Sequence, residues 1–85
     1  MFYVIRYQSA AVADVREFPD IDTAQKEYGR QVYNAWRRKS VTRQVQRYYG
    51  HGPVIWWTTY EQGGVPCCIE LSRSLPETPD WWEMD

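Results

Sequence analysis

Phe2 to Gln8 reads FYVIRYQ, with Phe2 and Val4 on one alternation set and Tyr3, Ile5 and Tyr7 on the other. A β-branched and aromatic run of this length predicts a strand. A strand that is apolar on both sides belongs at the centre of a sheet, or in one whose second face is also covered. Ser9 to Ala11 is a turn by composition, and Val12 to Phe18 predicts a second strand, antiparallel to the first. Pro19-Asp20-Ile21-Asp22 stops that strand and opens a helix. Asp22 with Gln25 three residues on has the spacing of a capping box, with Asp in place of Ser or Thr. Ala24, Tyr28, Val32, Ala35 and Trp36 then recur at helical spacing and define one core stripe. Gly29 costs this helix about 1 kcal/mol relative to Ala, which close packing on the sheet would explain.

Ser40 to Tyr49 reads SVTRQVQRYY. As a strand it would put Val41, Val45 and Tyr49 on one face with Arg43 and Arg47, burying neither kind well. As a helix it places Val41, Val45 and Tyr48 on one side, with Lys39, Arg43 and Arg47 nearly opposite. The helix separates apolar from charged residues cleanly and is the expected form. At about 100° per residue its stripe does not continue that of Ala24–Trp36, so a break near residues 38–41 is expected, with Ser40 as a new N-cap. Gly50 and Pro53 end the segment.

Val54 to Glu61 (VIWWTTYE) carries the clearest strand pattern, Glu61-Gln62-Gly63-Gly64 turns the chain, and Val65 to Arg73 (VPCCIELSR) returns with Cys67, Ile69 and Leu71 on its apolar face. Pro66 suits the start or an edge of that strand. Residues 74–85 form an acidic, aromatic C-terminal tail. The expected fold is a single α+β domain over residues 1–85, in the order β-β-α(-α)-β-β: a mainly antiparallel four-stranded sheet with helices packed on one face.

Composition changes this picture little. Apolar residues make up 44% of the 85, enough for a core, and aromatics are prominent, with five Trp and seven Tyr. The longest unbroken apolar run is Met1–Ile5, too short for a membrane span or a signal-peptide core, so a soluble chain without membrane partners is expected. Cys67 and Cys68 are adjacent, so in a strand they point to opposite faces and cannot share a metal or close an ordinary bridge. Two reduced thiols suit the cytoplasm. His51, the one histidine, sits in the turn Gly50-His51-Gly52-Pro53. No nucleophile elbow, phosphate-cradling loop or metal-ligand spacing is present, so no cofactor or metal is expected.

Charge is the informative feature. Between Tyr28 and Tyr60 stand six cations (Arg30, Arg37, Arg38, Lys39, Arg43 and Arg47) and no acid, while the remaining four cations share the rest of the chain with all eleven acids. Five of the six are arginine, which forks onto carboxylate or phosphate. The bland alternative is a solvated face paired with the acidic ends of the same chain. Trp56 and Trp57 must face opposite ways in a regular strand, so one packs under the helices. The other enriches a second face with Tyr3, Tyr7 or Tyr60, a face too apolar to leave wet. It is to be covered by the tail, by a second copy of the chain in a homodimer, or by a partner.

These features predict a non-enzymatic protein-binding module for an acidic surface on a larger protein or nucleoprotein complex. Its contacts would be Arg37, Arg38, Lys39, Arg43, Arg47 and Tyr48, with Trp81 and Trp82 of the tail. In size and composition, though in no motif, the chain resembles the small inhibitors of phages and mobile elements, anti-CRISPR proteins among them. The first alternative is nucleic-acid binding by Arg37–Arg47, with Tyr48 and Tyr49 stacking on bases; a net charge of −1 and a pI near 5.8 argue against it. The second is a small enzyme using His51, Cys67 or Cys68.

Overall fold

The computed structural model describes residues 1–9, 11–38, 41–48 and 52–75, and within 41–48 the side chains of Val45, Arg47 and Tyr48. The elements are β1 (Phe2–Gln8), β2 (Ala11–Phe18), α1 (Ile21–Arg37), β3 (Val41–Tyr48), β4 (Val54–Gln62) and β5 (Val65–Ser72). The five strands form one antiparallel sheet in the order β2-β1-β5-β4-β3. The α+β class and the β1–β2 and β4–β5 hairpins agree with expectation. Gly63 and Gly64 both hold positive φ in the β4–β5 turn, where a two-residue hairpin loop favours glycine.

One strand was not foreseen. Val41–Tyr48 is β3, paired to β4, and there is no second helix among the described residues. The sheet therefore has five strands rather than four. The expectation of a helix assumed that a strand must bury the face it shows. An edge strand owes hydrogen bonds to one neighbour only and can leave that face half wet, as Val45 does at 44% exposure. Arg47 is held there too, its guanidinium 5.8 Å from the centroid of the Trp57 ring, so an apolar neighbour attracts the cation rather than expelling it.

The helix joins one edge strand, β2, to the opposite edge, β3, and so must cross the sheet. Its 17 residues span about 25 Å, against about 19 Å for the four gaps of a five-stranded sheet, so one helix suffices. Its N-cap is Asp20, not Asp22: the Asp20 carboxylate accepts from the Thr23 amide and hydroxyl, both at 2.8 Å. Asp22 instead lies in the first turn, where a negative charge opposes the positive end of the helix dipole.

Under the helix, Val4, Ala24, Tyr28, Ala35, Ile69 and Leu71 form the centre of the main core. The Tyr28 hydroxyl shares a 2.6 Å hydrogen bond with Thr58 Oγ1, satisfying two buried polar groups at once. A second cluster on the opposite face joins Ile5, Tyr7, Trp57 and Cys68, with Tyr3 and Val54 beside it. As expected, Trp56 and Trp57 part to opposite sides, and so do Cys67 and Cys68. Residues 76–85, including Trp81 and Trp82, lie outside the described residues. No described helix is long and apolar enough to cross a membrane.

Candidate functional site

A helix crossing a wider sheet leaves a groove along each flank, and the two flanks of α1 differ in chemistry. At about 100° per residue, Gly29, Val32, Tyr33 and Trp36 turn to one side of the Ala24–Ala35 line, and Glu27, Arg30, Gln31 and Asn34 to the other.

The first flank is apolar. Tyr28, Gly29, Val32, Tyr33 and Trp36 of the helix face Trp56 of β4 across a groove of about 380 Å³. Trp36 was expected in the core stripe, yet it is 72% exposed. It stands at the margin of the stripe, and the buried line runs instead through Ala24, Tyr28 and Ala35. Tyr33 is 59% exposed and Tyr48 60%. Tyr48 lies against Trp56 with ring centroids 4.7 Å apart and planes tilted by 47°. Arg37 stands 5.6 Å above the Tyr33 ring. A Cβ built at Gly29 would meet nothing within 4 Å, so this glycine does not serve close packing on the sheet as its sequence position suggested; its missing side chain leaves the groove open.

The second flank is cationic. Glu27 is its hub: Arg30 donates to both carboxylate oxygens, at 2.8 and 2.6 Å, Gln31 donates at 2.8 Å, and Arg16 stands 3.3 Å away. These cations and hydrogen bonds, led by those from Arg30, hold the Glu27 carboxyl down at about 2. Asp14 pairs with Arg16 at 3.2 Å. Beyond this network lie Arg6 and Arg38, which make no ion pair with a described residue; Arg38 donates to Gln62 Oε1 at 3.0 Å. Arg6 projects from β1, Arg38 caps the C-terminus of α1, and the buried Tyr60 and Cys67 lie between them.

The predicted contact residues are therefore not one helical stripe. Arg37 and Arg38 sit at the end of α1, Tyr48 projects to the helix side of the sheet beside Trp56, and Arg47 to the other side beside Trp57. Their bland alternative, neutralisation by the chain's own acids, holds for Arg30 alone among the described members of the acid-free run. Lys39, His51, Trp81 and Trp82 lie outside the described residues, as does the Arg43 side chain. Both cysteines are free and buried, and burial pushes both thiols above their usual range, away from the thiolate that a nucleophile needs.

Sequence reasoning missed Trp36 as a surface residue, the place of Arg6 beside the cleft that Arg38 also borders, and the burial of Glu70 on the second face. Glu70 is only 4% exposed, accepts a 3.3 Å hydrogen bond from the Tyr7 hydroxyl, and is pushed up to about 7 by burial. Its strand position marked it as facing away from Ile69 and Leu71, but nothing local marked that face as dry. No protein-family model, curated protein sequence or solved structure matches the chain.

Proposed function

We propose that the chain is a non-enzymatic binding module that seats an acidic segment of a larger protein in the groove between α1 and the β3–β4 edge of the sheet. The observation that carries this reading is the set of three large aromatics, Tyr33, Trp36 and Tyr48, left more than half exposed around one apolar groove. Aromatic side chains in a shallow groove are the usual anchors of a protein interface. Arg37 beside them, with no carboxylate partner among the described residues, supplies the charge that an acidic segment would meet. The adjoining β3 is the last strand of the sheet among the described residues, so an extended segment can add to its free edge. On the small-inhibitor reading, a module that seats such a segment would block whatever else needs it.

The test is capture from the native host with nuclease treatment, comparing the parent with a Tyr33→Ala, Trp36→Ala variant. Both side chains are exposed, so the variant is expected to keep its melting temperature and to lose an acidic protein that the parent retains after nuclease. Capture unchanged by the two substitutions, or abolished by nuclease alone, overturns the proposal.

A further inference from the structure

The second flank of α1 carries an arrangement that protein docking in the aromatic groove does not use. Four arginines (Arg6, Arg16, Arg30 and Arg38) line the cleft between the helix and the β1–β2 side of the sheet, and Asp14 and Glu27 are the carboxylates beside them. Both carboxylates are engaged by Arg16 and Arg30, and although Asp14 also stands cross-strand from Arg6, the count among the described residues leaves a surplus of two positive charges, with Arg6 and Arg38 in no ion pair. These two are not scattered. Both border a cleft of about 320 Å³ with Gln8, Tyr60, Gln62 and Cys67, and with Tyr60 they also line a second cleft of about 220 Å³.

The strand register explains the convergence. Gln8, Cys67 and Tyr60 are cross-strand neighbours in one row, and Arg6 stands one step along the same face of β1. Arg38 comes down on this row from the end of the helix. Burial and the adjacent Cys67 sulfur, to which the hydroxyl hydrogen-bonds, raise the Tyr60 hydroxyl above its ordinary range, while the charges of Arg38 and Arg6 pull it the other way. The same two charges act on the Cys67 thiol.

We propose that Arg6, Arg38 and the Tyr60 hydroxyl form a binding site for a phosphate monoester. Its dianion matches the surplus charge, and its three terminal oxygens match two arginine forks and one hydroxyl donor. A lone carboxylate would satisfy one fork and leave the other bare. Gln8, Gln62 and Asn34 add amide donors around the rim.

Titration of the full chain with inorganic phosphate, methyl phosphate and a short phosphoserine peptide at constant ionic strength tests this, read by amide chemical shifts and calorimetry. Saturable shifts are expected at Gln8, Asn34, Tyr60 and Gln62. Arg6→Gln or Arg38→Gln should each weaken binding by about tenfold or more, while Arg47→Gln, on the other face of the sheet, should bind as the parent does. Equal affinity for methyl phosphate and peptide assigns the site to small phosphorylated molecules; tighter peptide binding assigns it to a phosphorylated partner. Both arginines are exposed, and an unchanged circular dichroism spectrum checks that each variant is folded. Shifts that never saturate, or arginine variants that titrate like the parent, overturn the proposal.

Discussion

Glu70 shows how a single side chain can make stability depend on pH. It sits on the face away from the helix, with Tyr7 reaching it from β1, Trp57 beside it on β4 and Cys68 two positions back on its own strand. Burial raises its carboxyl from an ordinary 4.5 to about 7. In that window the folded chain holds a proton that the unfolded chain has lost, so stability falls as pH rises from 4.5 to about 7 and levels off above it. The expected loss is roughly 3 kcal/mol, at 1.36 kcal/mol for each unit of pKa difference. Denaturant titrations across this range should show the slope in the parent and its disappearance in Glu70→Gln; an equal slope in both would rule out Glu70 as the cause. Glu27 works in the opposite sense. Its carboxyl is held down at about 2, so its contribution is complete above 4.5 and is lost as pH falls through that lower range.

Among the elements, α1 holds the sharpest conflict between local propensity and use. Gly29 weakens the helix although no neighbour requires a glycine there. Gly29→Ala is expected to raise stability by about 1 kcal/mol in chemical denaturation, because the new methyl group enters open space and the unfolded chain loses freedom. If the groove is the docking site, the same change should weaken partner capture by narrowing it. The helix and four of the strands were legible from periodicity, down to the parting of Trp56 from Trp57. β3 was not. Its alternation mixes valine with arginine, a pattern that a helix sorts better, and only the presence of Trp57 on the neighbouring strand gives Arg47 a reason to lie on an apolar face.

For the whole molecule, strand order governs where opening begins. β5 lies between β1 and β4, and β1 lies between β2 and β5, whereas β2 and β3 stand at the edges and β2 is largely exposed. Hydrogen exchange should therefore leave the amides of the interior strands β5, β1 and β4 protected longest and release the outer amides of β2 and β3 first; protection of β2 equal to that of β5 would contradict this order. The same order explains what could be read in advance. Alternation and helical spacing depend on near neighbours in the chain, so the amino-acid order alone determined the helix, both hairpins, the parting of Trp56 from Trp57 to opposite faces and the segregation of charge. It carried no information on which distant segments would meet. The pairing of β1 with β5, the crossing of α1 from one sheet edge to the other, the exposure of Trp36 and the approach of Arg38 to Arg6 all followed from packing, because each depends on where remote side chains exclude water together.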